Sequence, residues 1–315
     1  MIDGGGFFAN PATGMTTKTR NRLIVLFIFG FPFMVLLGFL VSQLVGPLPP
    51  IQPLPNPNGY DALVKAGEMV STNSWNYDST NLDQLHETVA TNAGALALAR
   101  AGMSNECRVP LQFTLRDSEN IEQLISFRSL AYAFAGEGKL AESENRPDNA
   151  AKSYLDTIHL GNEVGRGGRL VEGMIGTAIE SLGTTGLQKV IDQLDVKTCR
   201  ETAAALEVLD AHRQTWEDVL QQEKNWSRRV FGLRGQLIEL FFGRQLGMMR
   251  NEERAEQAFK EHQKQTRQLT VDLAARAYEL DKGQKPASLA DLAPDYLKAV
   301  PQDPFTGTNM NYSPR

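Results

Sequence analysis

Two cysteines, four histidines and three tryptophans in 315 residues leave little material for several chemistries. Cys107 and Cys199 are too few for a disulfide framework or a cysteine zinc site. They leave open either one bridge outside the cytoplasm or two buried thiols. Among the histidines, His86-Glu87 opens like a zincin helix, but Ala90 stands where the second histidine is needed. His159 and Glu163 share a helix face at i, i+4, which is two ligands and not a site. His262 falls on an apolar stripe, the usual place of a satisfied core histidine. There is no G-x-S-x-G elbow, and Gly136-Glu-Gly138-Lys139 lacks the Walker spacing. Gly165-Arg-Gly167-Gly168 puts Leu170 where a dinucleotide fingerprint needs its third glycine, with no strand before it. No catalytic residue, cofactor or metal is therefore assigned. Excess positive charge is also missing: 32 basic residues face 37 acidic ones. Removing Lys18, Arg20, Arg22 and Asp3, the charges before residue 46, leaves 29 against 36. Such a domain lacks the cations that displace phosphate counterions, so nucleic acid is not an expected partner.

What is present begins with Leu23–Val45, LIVLFIFGFPFMVLLGFLVSQLV, 23 residues without a charge. At about 1.5 Å per residue this length spans the ~30 Å hydrocarbon core with some tilt. Pro32 and Gly38 are tolerated in such helices. Lys18, Arg20 and Arg22 precede it, and no basic residue follows until Lys65. The positive-inside rule then places residues 1–22 in the cytoplasm and everything after the helix outside. The run is longer than a signal-peptide core and leads into Gly46-Pro47-Leu48-Pro49-Pro50 with no A-x-A pattern, so it reads as an uncleaved anchor. The expected location is the inner (cytoplasmic) membrane, single-pass, with the lipid bilayer as partner through residues 23–45. Residues 46–58 carry six prolines and read as a semi-rigid extended spacer. At ~3.1 Å per residue it reaches some 40 Å and can hold the domain off the bilayer, where only a hinge such as Asn58-Gly59 would permit contact.

Beyond it the apolar period is helical almost throughout. Leu85, Val89, Ala93 and Leu96 form one stripe, and Leu124, Phe127, Ala131 and Phe134 another. Leu170, Met174, Ala178 with Val171, Ile175, Ile179 predict the buried face of a further helix. Thr202, Leu206, Leu209, Arg213 and Trp216 step likewise, as do Ala255, Phe259, His262, Thr266, Leu269, Leu273, Arg276 and Leu280. Only 109–115 and 308–312 look extended. The expected fold is mainly α: a single N-terminal transmembrane helix, then an extracytoplasmic antiparallel bundle of about eight helices. The helical domain is placed at 59–282 and a small irregular clasp at 283–315. The pair 119–141 and 147–164, with its Ala150-Ala151, Tyr154-Leu155, Ile158 spacing, resembles a tetratricopeptide hairpin, without a second copy at that period. Gly173 and Gly176 are expected to admit a neighbouring helix closely.

The C-terminal stretch is the most distinctive. Ala277-Tyr278 leads through Gly283, Pro286, Leu289, Leu292, Pro294, Tyr296 and Leu297 to Val300-Pro301-Gln-Asp303-Pro304-Phe305-Thr-Gly307 and Tyr312. It resembles the segment of type II secretion major pseudopilins in which a long helix ends in G-x-x-P-x-x-L, Y-L and V-P-x-D-P-F-x-G. It also resembles membrane-anchored helical proteins of planctomycete type, from about residue 120 to the end. No activity follows from either resemblance. Prepilin processing is not expected: Gly30-Phe31 lies inside the apolar run, and Val35 stands where the glutamate at the fifth mature position belongs. Physically, Gly283 ends the helix, Ser288 and Asp291 form a capping box, and Pro294 starts another turn. Pro301 and Pro304 hold the chain extended, Asp303 accepts backbone N–H groups, and Phe305 and Tyr312 pack back on the long helix.

One segment invites a second reading. Val230–Met249 is strongly apolar and punctuated by Arg234 and Arg244, with Arg228 and Arg229 just before it. It is read as one core helix with snorkelling arginines. The alternative is a partner-docking or membrane surface made of Arg228, Arg229, Arg234, Leu237, Phe241 and Phe242. The function expected from all this is a membrane-anchored scaffold or binding domain with a protein partner. The rival is an envelope hydrolase whose histidine meets carboxylates in a deep cleft.

Overall fold

The computed structural model describes residues 27–39, 48–71, 81–114, 118–242 and 248–310, of which 118–121, 233–242 and 248–250 are described by their backbone alone. The chain divides into two compact units, Met1–Pro49 and Pro50–Arg315.

In the first unit, residues 27–39 form helix α1. Its large apolar side chains face outward all round, with Phe27 72% and Met34 71% exposed. Among the described residues, no helix is long and apolar enough to cross a membrane. The helix of residues 27–39 covers about 20 Å, short of the ~30 Å core. Residues 1–26 and 40–47, which include both ends of the expected span, lie outside the described residues.

Among the described residues the second unit holds eight α-helices: α2 (Gly59–Met69), α3 (Leu82–Met103), α4 (Ser118–Ser143), α5 (Pro147–Gly165), α6 (Leu170–Val190), α7 (Val196–Ala211), α8 (Trp216–Phe242) and α9 (Met248–Lys282). Among the described residues there is no strand; Gln302 and Asn309 make an isolated antiparallel bridge. The helix starts are written locally. Asn58 accepts from Tyr60 N, Asn81 from Asp83 N and Gln84 N, and Asp195 from Thr198 N at 2.6 Å. Pro147 opens α5. Thr215 and Asp218 close a reciprocal capping box on α8.

Two large apolar clusters fill the unit, beside a smaller one of Trp216, Val219, Ala255 and Phe259. One joins α2, α3 and α4 through Leu63, Leu96, Phe127 and Phe134 to Leu160 and Ile179. The other joins α5, α7, α9 and the C-terminal segment through Ile158, Leu206, Leu269, Leu273, Leu292 and Leu297. α5 and α6 make the most extensive helix pair among the described residues. Their approach is set by glycine. A Cβ on Gly161 would stand 2.5 Å from Gly176 O, and one on Gly183 2.5 Å from Tyr154 O. No side chain fits there, so backbone meets backbone.

Several expectations change. α6 buries more than its hydropathic stripe: of the stripe, Val171 and Ala178 are exposed, Leu170, Met174 and Ile175 are half-buried against apolar clusters and Ile179 is buried, while Glu172, Gly176, Glu180 and Gly183 are buried beside it. Ala93 is exposed, and the buried face of α3 runs through Asn92, Leu96 and Ala99. The stripe Thr202–Trp216 belongs to two helices, because α7 stops at Ala211 and α8 starts at Trp216. Val230–Met249 is not one helix: Gly232 has φ 57° and ψ −147°, α8 ends at Phe242 and α9 begins at Met248. Asn58-Gly59 is no hinge, since Asn58 is 8% exposed and Gly59 is pressed against Gly102 and Cys107. The cysteines sit in different clusters as free buried thiols. Burial pushes both up to about 12, the thiol of Cys199 and, with Glu163 beside it, that of Cys107.

Candidate functional site

α6 crosses the unit with two buried glutamates, and each is met by an arginine from a loop. Arg169 precedes α6 and pairs with Glu172 at 3.0 Å, both nearly enclosed. Its guanidinium lies 4.4 Å from the centre of the Trp226 ring, and Trp226 Nε1 donates to Gln112 O at 2.7 Å. Burial, with Glu172 nearby, raises the hydroxyl of Tyr60 beyond its ordinary range.

The second centre joins more elements. Arg213, in the turn between α7 and α8, donates to both oxygens of Glu180 at 2.9 and 2.5 Å. His262 of α9 lies 3.0 Å through Nε2 from Glu180 Oε2, and 3.0 Å through Nδ1 from Ser181 Oγ. Glu180, His262 and Arg213 have side chains only 4–5% exposed. Burial alone would push the Glu180 carboxyl up, but Arg213 and His262 outweigh it and hold it below its usual range. Arg213 also reaches Asp210 at 3.5 Å, and Asp210 accepts from Arg267 Nε at 2.8 Å. Arg267 Nη1 donates in turn to Gln302 O at 2.6 Å. This chain of charges ties α6, α7 and α9 to the C-terminal segment.

Serine, histidine and glutamate in hydrogen-bonded sequence are the parts of a nucleophile relay. Here the rest of such a site is not provided. Ser181 Oγ also donates to Thr177 O at 2.9 Å. Ser181 lies mid-helix, where neighbouring backbone N–H groups serve the helix and cannot form an oxyanion hole. A cleft beside Gly161, Thr177, Glu180 and Arg213 holds about 20 Å³ and touches neither Ser181 nor His262. That is room for about one water. A roomier groove of about 230 Å³ lies between α6, α9 and the segment after it, where Asp192, Asp272, Arg276, Glu279 and Lys285 face it. It contains no histidine, cysteine or serine. Among the described residues no group of three or more His, Cys, Asp or Glu could hold a metal. His159 Nε2 meets Glu163 at 3.6 Å, where Arg166 is the closer partner at 2.6 Å. His86 pairs with Glu144 at 3.0 Å.

The residues picked from sequence fall as follows. Gly283, at φ +69°, ends α9 and donates to Glu279 O at 2.8 Å. Asp291 accepts from the N–H groups of Ala287 and Ser288 at 2.8 Å each. Leu289, Leu292, Tyr296 and Leu297 are buried against α9, and Pro286 borders the polar groove. Pro294 lies near the start of a turn over residues 293–296, as expected of it. Tyr296 donates to Asp281 at 2.6 Å beneath the Arg200 guanidinium. Pro301 O accepts from Met310 N at 2.9 Å, and Asp303 accepts from Phe305 N at 2.8 Å in the turn containing Pro304. Phe305 is 47% exposed and touches α9 through Lys264, with Met310 taking the buried place expected of it. Tyr312 lies outside the described residues. Arg229 stacks over Phe113 at 5.1 Å, and Arg228 is half-buried on the same helix. The side chains of Arg234, Leu237, Phe241 and Phe242 lie outside the described residues.

The Glu180–Arg213–His262 centre was missed by sequence reasoning except for His262. Its signal was there: acids at the i, i+8 positions 172 and 180 stand on the glycine side of α6. Comparison with family models, curated proteins and solved structures gives no match for this chain.

Proposed function

We propose that the protein is a membrane-anchored, extracytoplasmic helical scaffold that binds a protein partner. The observation that carries the scaffold reading is the closure of the Glu180–His262–Ser181 centre. Its polar atoms are spent on one another and on Arg213, which holds helices in place and presents nothing to a substrate. The anchor reading draws on the uncharged run Leu23–Val45 with its preceding basic residues, and on the outward-facing apolar side chains of α1. Its placement is the inner membrane, N-terminus in the cytoplasm. An acidic domain of this kind fits a protein partner better than nucleic acid.

Two experiments test this. The full chain should stay in membranes through carbonate washing, and protease outside intact inner membranes should remove the domain; a shortened soluble product would refute the anchor. Co-purification of the tagged full chain from its native membrane should bring down a stoichiometric protein. The hydrolase reading is kept for one outcome: labelling of Ser181 by a fluorophosphonate probe in the folded protein.

A further inference from the structure

The polar groove along α9 is walled by three segments: α9 itself, the single turn Ile191–Gln193 after α6, and the chain beyond Gly283, which supplies Lys285 and Pro286. At about 230 Å³ it has room for several waters, and it lies just under the ~300–1,000 Å³ of sites for drug-sized ligands. Its walls carry charge of both signs, Asp192, Asp272 and Glu279 against Arg276 and Lys285. Arg276 crosses from α9 to the turn, where its Nη2 donates to Asp192 O at 3.1 Å. Its Nη1 donates to Glu279 Oε2 at 3.3 Å, long beside the ~2.7–2.9 Å of a charge-assisted bond. Its Nε is buried and meets no partner among the described residues. The guanidinium is thus held in place by a backbone carbonyl, with one donor loosely used and another unused. A carboxylate of good geometry would serve it better than Glu279 does. Glu279 is 36% exposed and can turn away from Arg276 into the groove.

We propose that this groove binds a small zwitterion, a dipeptide-sized molecule with one ammonium and one carboxylate, by exchange of the Arg276–Glu279 pair. The ligand carboxylate takes the guanidinium, and the released Glu279 takes the ligand ammonium. One loose ion pair becomes two, and no charge is left alone. A lone anion on Arg276 would set Glu279 adrift beside two further carboxylates. A lone cation on Glu279 would leave Arg276 with only the Asp192 carbonyl. Selection for both charges together follows from the lining itself. Ile191, Ala275 and Pro286 offer the ligand body apolar contact. The site needs neither the protein partner nor the anchor.

The test uses the full chain in lipid nanodiscs and saturation-transfer NMR, with empty nanodiscs as the blank. The probes are glycyl-leucine, its N-acetyl form, which lacks the ammonium, and its amide, which lacks the carboxylate. Glycyl-leucine should saturate the site, and each blocked form should bind several-fold more weakly. Glu279→Gln leaves the bond from Arg276 to Asp192 O in place. It should erase the preference for glycyl-leucine over the N-acetyl form and keep the preference over the amide. Arg276→Gln should do the reverse; if it weakens folding, Glu279→Gln decides alone. Absence of saturation by glycyl-leucine would overturn the proposal. Equal binding of the three forms would do the same, as would a preference over the N-acetyl form that survives Glu279→Gln.

Discussion

The α5–α6 seam and the α7–α9 seam bury their surfaces by opposite means. At α5–α6, glycines bring two backbones together, and the space left over is filled by Glu172 and Glu180 with their arginines. At α7–α9, Leu206, Leu209, Leu269 and Leu273 interdigitate, and the segment after Gly283 lays Leu292 and Leu297 over them. The first seam is stiff in composition, since Gly161, Gly176 and Gly183 admit no side chain and each buried glutamate needs its arginine. The second is held by area, which many aliphatic side chains can supply.

That contrast can be broken most severely at the aliphatic end. Truncation after Gly283 removes Leu289, Leu292, Tyr296 and Leu297 from the core. At ~1.5–3 kcal/mol for each, the loss is comparable to a domain's whole stability, so the truncated chain should fail to unfold cooperatively in a calorimeter. An unchanged transition would refute the clasp.

Glu180→Ala should come next, at about 3–5 kcal/mol in urea unfolding, because it strands Arg213 and His262 in the interior. A variant with Glu180, Arg213 and His262 all made apolar should recover much of that loss. The same carboxylate sets an acid limit. Its folded pKa lies below the ordinary 4.5, so its contribution is complete above that value and is lost as pH falls through the folded pKa. Stability against pH below 4.5 should therefore fall less steeply in Glu180→Gln than in the unaltered protein.

Smaller effects separate one glycine from another. Gly161→Ala would put its methyl 2.5 Å from Gly176 O and 2.6 Å from Glu180 Cγ. About 2 kcal/mol of destabilisation is expected after crediting alanine's better helix propensity. Gly94→Ala meets nothing nearer than Met69 Cε at 3.6 Å and should stabilise by about 0.5–1 kcal/mol. Equal effects at the two positions would dissolve the claim that the α5–α6 seam, unlike the surface of α3, has no room for a side chain at Gly161.

The sequence was readable wherever burial follows side-chain bulk. The stripe from Ala255 to Leu273 lies inward as its period requires, His262 included. Gly283, Asp291 and Asp303 do the local work that their residue types suggest. Reading went only part of the way on α6, where hydropathy finds Ile179 but also marks Val171 and Ala178, and misses the glycines and glutamates that are buried with it. A periodicity argument scores a charged residue as outward-facing. It cannot register that Arg213, 33 positions away, neutralises Glu180. The long apolar run after Val230 misled in a different way, since Gly232 takes a backbone conformation that no hydropathy window contains.

The three-way contact of Glu180, Arg213 and His262 also governs how this sequence can change over generations. Losing Glu180 leaves the Arg213 guanidinium with Asp210 alone, and losing Arg213 leaves the buried Glu180 carboxylate with only an imidazole, so these positions should substitute together or not at all. Leu206, Leu269 and Leu273 can instead drift one at a time among aliphatic neighbours. Descendants of this chain should therefore differ freely along α7 and α9 while carrying the acid, the guanidinium and the imidazole as one inherited set.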